Sequence, residues 1–155
     1  MKKLILLGAP LALLILAGCS GRSFDGKWNV TMPSGSMPPG GMMTATFGPG
    51  SGLAMTMDMS QPIPNAGTAK LHGDLNGSYT MKGDLLTVKM DSVKFSVTGV
   101  PDAMKQMMDA NLKTAGDQAK ESINKEGSGK VEWKSDDQFI VTGSTGSAST
   151  FTRAK

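Results

Sequence analysis

The stretch LHGDLNGSYTMKGDLLTVKMDSVKFSV, residues 71–97, decides the fold class of this chain. Apolar and polar residues alternate along it, and a period of two is the spacing of a strand that buries one face. Asn76-Gly77 is typical of a tight turn between two strands, and Gly83-Asp84 marks a second turn. Past Asp91 the alternation resumes, either in a further strand or through a bulge. The stretch therefore predicts several short antiparallel strands in succession.

The same alternation occurs on both sides of this stretch, between loops that are rich in proline, glycine and serine. The alternating segments are residues 27–32, 43–47 and 53–60 before it, and 131–133, 139–141 and the surroundings of Phe151 after it. Many short strands at even spacing are typical of a sandwich or a barrel. We expect a mainly β, antiparallel, barrel-like domain of about nine strands.

The period changes to three and four residues after Pro101, which indicates an amphipathic helix. Its apolar positions are Met104, Met108, Leu112, Ala115, Ala119 and Ile123. The helix is predicted over about residues 102–124, before the last three strands, where it would close one end of the β-domain or cover a sheet face. Attachment to a membrane surface is an alternative, but its polar side mixes acids with bases, whereas membrane-surface helices are usually cationic there.

The first residues have the pattern of an export signal. Lys2 and Lys3 form a positive head, residues 4–16 are almost wholly apolar, and Leu16-Ala17-Gly18-Cys19 follows. An apolar run of about 13 residues is shorter than the roughly 20 that a membrane-spanning helix needs. The tetrapeptide resembles the lipobox of bacterial lipoproteins. We predict that residues 1–18 are the signal peptide of a lipoprotein. The alternatives are a plain secretory signal followed by a chance cysteine, and an anchor that is not cleaved.

The lipobox resemblance implies cleavage before Cys19 and attachment of lipid to that cysteine, as a diacylglyceryl thioether and usually a further amide-linked acyl chain such as palmitate. Several acyl chains hold a protein firmly on a membrane. Residues 19–25 would then be a lipidated tether and residues 26–155 a single domain. Ser20, in place of Asp, favours the periplasmic face of the outer membrane in a two-membrane envelope. With one membrane, the domain would lie on the outer face of the plasma membrane.

The start of the mature chain resembles a second group of proteins. Phe24-Asp25-Gly26-Lys27-Trp28 is similar to the Gly-x-Trp opening of lipocalins and fatty-acid-binding proteins. In those families a basic residue late in the chain packs over the indole, and Arg153 is placed to do so over Trp28. The resemblance implies a small closed barrel. The other motifs of these families are absent, and the long helix comes later in the chain than their helices.

If such a barrel holds a lipid or another hydrophobic small molecule, its inward rows supply the lining. The predicted lining residues are Met55, Met57, Met81, Val88 and Phe95. The same side chains could instead fill a closed core, because alternating apolar faces are needed for folding in any case. The chain would then be a structural or interaction lipoprotein that contacts another envelope protein through its outer face.

Methionine offers a third interpretation, the binding of Cu(I) by thioether sulfur. The two clusters are Met55, Met57 and Met59 on one strand face, and Met37, Met42 and Met43 in a loop. Neighbouring sulfurs on one strand face lie about 6.5 to 7 Å apart, too far to share one ion without help from another strand. Met also serves as an ordinary core residue, so we assign no metal site.

No pattern in the sequence predicts an enzyme or a nucleic-acid-binding protein. The net charge of +3 falls to +1 when Lys2 and Lys3 leave with the signal peptide, and no basic block occurs. His72 is the only histidine, and the only cysteine is the proposed lipid attachment site, so the ligands of a usual zinc site are missing. Neither a nucleophile elbow nor a phosphate-binding loop is present. We expect no catalytic residue and no cofactor.

Overall fold

The computed structural model describes residues 22–37, 39–63 and 67–155. The described residues form eight antiparallel strands in chain order around a closed barrel, together with one α-helix. The elements are β1 (Gly26–Thr31), β2 (Met42–Phe47), β3 (Gly52–Ile63), β4 (Gly67–Lys82), β5 (Leu85–Thr98), α1 (Asp102–Glu126), β6 (Ser128–Ser135), β7 (Gln138–Gly143) and β8 (Ala148–Arg153). The predicted signal peptide, residues 1–18, and the predicted lipidation site Cys19 lie outside the described residues, as does Ser20.

The predicted fold class is confirmed, because the chain is mainly β and barrel-shaped with its helix before the last three strands. One turn prediction is wrong, and it accounts for the expectation of nine strands. The sequence predicts a tight turn at Asn76-Gly77, but β4 runs through both residues without a break. Two predicted strands are therefore one long strand.

A bulge in β5 explains why an Asn-Gly pair lies inside β4. Asn76 pairs with Ser92 and Gly77 pairs with Met90, so Asp91 is an extra residue in β5. At this point the two backbones approach closely, and a Cβ on Gly77 would collide with the carbonyl oxygen of Lys89. The glycine therefore permits a close approach between strands instead of a change of direction.

The helix completes the barrel where β5 and β6 part. These two strands pair only through residues 85–87 of β5. Beyond them, Val88 donates its N–H to the carbonyl oxygen of Gly127 at 2.7 Å. The N–H of Met90 donates to the Asn124 side-chain oxygen at 2.6 Å, and the Asn124 amide donates to the Met90 carbonyl oxygen at 3.0 Å. Asn124 thus satisfies backbone groups of β5 that a neighbouring strand would otherwise pair.

The helix α1 lies close against β5. Gly116 is buried, and a Cβ on it would come 2.7 Å from the carbonyl oxygen of Val93, so the helix needs glycine at this contact. Further along, Ala119 and Ile123 pack against the barrel core. The helix therefore covers β5, one of the two roles that its amphipathic pattern predicts. No helix among the described residues is both long enough and apolar enough to cross a membrane.

Among the described residues, the largest fully buried side chains are Trp28, Phe139 and Met90 in the barrel core and Val97 on β5. Within residues 22–37, 39–63 and 67–155, the strands, the helix and the core contacts all lie between Phe24 and Arg153. We therefore expect a protein that lacks residues 1–19 to retain the closed barrel and its core and to fold.

Candidate functional site

One end of the barrel is closed by a cluster of aromatic side chains. We call it the aromatic plug, and it consists of Phe24, Trp28, Phe47, Tyr79, Trp133 and Phe139. Phe24 precedes β1, and its ring centre lies 5.0 Å from those of both Trp133 and Phe139. The Nε1–H of Trp28 donates to the Phe24 carbonyl oxygen at 2.7 Å, so the polar atom of the buried indole has a partner.

Tyr79 is the one titratable side chain of the plug. Its ring meets that of Phe47 edge to face, with the centres 5.0 Å apart. Burial raises the pKa of the Tyr79 phenol, and the negative charge of Asp25 raises it further. The phenol therefore stays neutral at physiological pH, and the plug contains no charged side chain of its own.

Arg153 covers the plug from outside. Its guanidinium carbon lies 4.3 Å from the centre of the Trp28 ring, within the range of a cation–π contact. The guanidinium donates to the carbonyl oxygens of Asp25 at 2.9 Å and Ser23 at 3.2 Å, and its Nε–H donates to the Asp137 carboxylate at 3.1 Å. The structure thus brings together the Trp28–Arg153 pair that the sequence singles out, and this pair joins the segment before β1 to the β6–β7 turn.

The other end of the barrel contains a cavity of about 390 Å³. Its opening, which we call the mouth, is formed by Met32, Glu126, Gly127, Ser128, Gly143 and Ser147. These residues come from the segment after β1, the C-terminal end of α1 with the start of β6, and the β7–β8 turn. The walls below the mouth are mainly apolar side chains from the strands, including Met43, Phe47, Leu53, Met55, Leu75, Leu86, Val88, Met90, Val141 and Phe151.

Two of the five predicted lining residues, Met55 and Val88, line this cavity. Met57, Met81 and Phe95 do not. Met81 is partly buried and packs against the core two residues after Tyr79, so it belongs to the closed end of the barrel.

Met57 and Phe95 lie near the point where β3, β4 and β5 continue beyond the start of β2 at Met42. We call this part the sheet extension, and it comprises residues 57–63 of β3, 67–73 of β4 and 95–98 of β5. Gly73 pairs with Met57 on one side and Phe95 on the other, and a Cβ on Gly73 would come 2.9 Å from the Phe95 ring. The two side chains therefore cover a glycine instead of facing the cavity.

Several cavity residues were not predicted as lining from the sequence. Met43, Leu53 and Met90 belong to apolar rows that the alternation reveals, so their inward orientation could be inferred. Their position along the barrel axis could not. Glu126 gives no such signal, because it faces the cavity only where the end of α1 meets the mouth.

His72 lies on the outer face of the sheet extension, as its alternation predicts. Its Nδ1 is 2.7 Å from an Asp58 carboxylate oxygen, and its Nε2 is 3.2 Å from an Asp74 carboxylate oxygen. The hydrogen bond with Asp58, followed by that with Asp74, raises the pKa of the His72 imidazole. Both ring nitrogens are engaged by carboxylates, and within the described ranges no group of three or more His, Cys, Asp or Glu side chains could hold a metal ion.

The chain matches no known protein family, and no curated protein is significantly similar to it. The geometry and chemistry of the two barrel ends therefore indicate what the protein can bind.

Proposed function

We propose that this chain is a membrane-anchored extracytoplasmic lipoprotein whose barrel binds a lipid or another hydrophobic small molecule. The observation that carries the proposal is an apolar cavity that is open at one end of the barrel and closed by the aromatic plug at the other. Its volume of about 390 Å³ lies within the range of roughly 300–1,000 Å³ that small-molecule sites occupy.

The composition of the walls supports a hydrophobic ligand. Met32, Met43, Met55 and Met90 all line the cavity. Methionine is unbranched and has three rotatable side-chain bonds, so it adjusts to irregular apolar shapes. Such walls suit a flexible chain better than a rigid polar molecule, because few polar groups are available to pair with the latter.

Dye binding tests the cavity directly. A protein comprising residues 20–155 should enhance the fluorescence of an uncharged naphthylamine dye, and native mass spectrometry should show a bound lipid after mild extraction. Ser149 lines the cavity on β8, and Ser149→Trp should fill it and abolish the enhancement. Thr152→Trp is the matched control, because Thr152 is exposed on the same strand. A wild-type protein that binds neither dye nor lipid would favour the structural or interaction role.

The proposed anchor depends on Cys19. Metabolic labelling with a palmitate analogue should mark the full-length protein, and Cys19→Ala should abolish both the label and processing before residue 19. The same protein with Ser20→Ala is the control for a neighbouring change. Unchanged membrane association and processing in Cys19→Ala would overturn the lipoprotein proposal without affecting the dye-binding result.

The proposed anchor also determines which barrel end faces the membrane. Arg22 and the residues that follow it lie at the closed end, where Arg153 and Asp136 hold them. Three residues of extended chain span at most about 11 Å, so a lipid on Cys19 would keep the closed end near the bilayer and direct the mouth away from it. Thiol labels on Lys82→Cys, near the plug, and Ser147→Cys, at the mouth, should respectively be quenched strongly and weakly by lipid-attached quenchers.

Copper binding is a second candidate, because four methionine side chains line the cavity. Thioether sulfur is a soft ligand that prefers Cu(I). A competition titration against a Cu(I) chelator should show binding tighter than micromolar if the sulfurs act together. Weaker binding would leave these methionines with the hydrophobic role.

A further inference from the structure

The mouth of the cavity has an acidic character. Glu126 is the only charged side chain among the described residues that line the cavity, and the other polar side chains there are the hydroxyls of Ser128, Ser147 and Ser149. In the part of the chain that the structure describes, no Lys or Arg lines the cavity. A ligand whose chain fills the cavity would place its headgroup beside the Glu126 carboxylate.

Glu126 forms no ion pair with any other residue that the structure describes. Lys125 is the basic residue of the last helical turn, but it is exposed and does not line the cavity. The carboxylate is therefore available to a headgroup at the mouth.

The helix adds to the negative potential. The last turn of α1 reaches the mouth, where Ile123, Glu126 and Gly127 line the cavity. The C-terminal end of a helix carries a partial negative charge, equivalent to about half an elementary charge, because its last carbonyl groups have no partners within the helix. The helix end and the Glu126 carboxylate thus both make the electrostatic potential at the mouth more negative.

We propose that the cavity selects its ligand by headgroup charge, binding cationic amphiphiles best, uncharged ones less well and carboxylate-bearing ones worst. This inference rests on the proposed function. A fatty-acid carboxylate would meet a like charge with no lysine or arginine to neutralise either group, whereas an alkylammonium headgroup would pair with Glu126. Unit charges a few ångström apart near a protein surface change binding by about tenfold or more.

Competition against the bound naphthylamine dye tests the order of affinities. The competitors share a dodecyl-length chain and differ in headgroup: dodecyltrimethylammonium, monolaurin and laurate, each below its micelle-forming concentration. The ammonium compound should displace the dye from residues 20–155 at a concentration about tenfold or more below that of laurate, with monolaurin between them. Raised salt should narrow this difference, because it screens partly exposed charges. Laurate that competes as well as the ammonium compound would overturn the inference.

Two charge reversals on the same helix test whether the headgroup selectivity arises at the mouth. Glu126→Lys should reverse the preference so that laurate displaces the dye at the lower concentration, and Glu126→Gln should reduce the preference to a few-fold. Glu121→Lys makes the same charge change at an exposed helix position outside the cavity, and it should leave the order unchanged. Equal effects of Glu126→Lys and Glu121→Lys would assign the selectivity to net charge and refute a role for the mouth. If wild type binds neither dye nor any amphiphile, the proposed function itself fails.

Discussion

The two ends of the barrel are formed by the same alternating strands but contain different kinds of side chain. At the closed end, aromatic rings pack against one another, and the centres of Trp28 and Phe139 are 4.7 Å apart. At the open end, methionines such as Met43 and Met55 surround a cavity of about 390 Å³. Aromatic side chains have two torsion angles and bury large rigid surfaces, whereas methionine is flexible. Side-chain choice therefore makes one end of a continuous barrel rigid and the other adaptable.

Hydrogen bonding follows the same division. At the closed end, Arg153 and Trp28 donate hydrogen bonds to backbone oxygens of the segment before β1 and so hold this segment against the plug. Near the open end, Asn124 of the helix supplies the bonds to Met90 that a strand would make. We expect the closed end to dominate stability and the open end to dominate ligand binding, and the following substitutions test this division.

The largest effect on stability is expected at Trp28, which is fully buried. Trp28→Ala removes the centre of the Arg153 contact and leaves a cavity in the plug, so the free energy of unfolding should fall by about 3–5 kcal/mol. Urea denaturation followed by circular dichroism measures the change. Met42→Ala, at a mostly exposed side chain, should cost less than about 0.5 kcal/mol. A loss below about 1 kcal/mol for Trp28→Ala would mean that the plug does not hold the barrel together.

A smaller effect is expected from Arg153→Lys. Lysine keeps the positive charge but lacks the planar fork that stacks on Trp28 while donating to Asp25, Ser23 and Asp137. The unfolding free energy should fall by about 1–2 kcal/mol. The control is Arg22→Lys, because the Arg22–Asp136 pair is exposed at 3.5 Å and should contribute little. Equal effects of the two substitutions would show that charge alone, without the guanidinium geometry, matters at the closed end.

The sequence predicts most of the architecture because local patterns determine it. Alternation identifies the strands, and the change of period identifies the helix before the last three strands. Asn76-Gly77 misleads because an Asn-Gly pair is typical of turns and also permits close strand contact, and only the register with β5 distinguishes the two. The role of Asn124 depends on the gap between β5 and β6, which no local pattern contains.

The candidate site is less predictable than the fold. A period of two assigns Met55 and Met57 to the same face, but only Met55 lines the cavity, whereas Met57 packs over Gly73. The position of a residue along the barrel axis depends on strand lengths and on which residues pair around the barrel. Both depend on contacts between residues that are far apart in the sequence. Glu126 lies beyond the predicted end of the helix at about residue 124, so its place at the mouth could not be foreseen.

At the open end, Met43→Leu should be tolerated. Leucine has a similar volume, so the unfolding free energy should change by less than about 1.5 kcal/mol. The branched side chain is less adaptable, and we expect the protein to bind a narrower range of dye and amphiphile shapes. Urea denaturation and dye titration measure the two effects separately. Destabilisation comparable to that of Trp28→Ala would remove the distinction between a rigid and an adaptable end.

The smallest effect on stability is expected at His72, on the outer face of the sheet extension. There, exposed ion pairs are the interactions that contribute to stability. The bonds to Asp58 and Asp74 raise the pKa of His72 above its ordinary value of 6.5, so the folded state binds this proton more tightly than the unfolded state does. The resulting stabilisation is complete below the ordinary pKa and is lost as pH rises through the raised one. Because these pairs are exposed, the stabilisation should stay below about 1 kcal/mol.

His72 is the only histidine in the chain, so His72→Gln should remove most of the difference in urea midpoint between about pH 5.5 and about pH 8.5. Wild type that is more stable at the higher pH, with His72→Gln unchanged, would show that the two carboxylates do not favour the imidazolium.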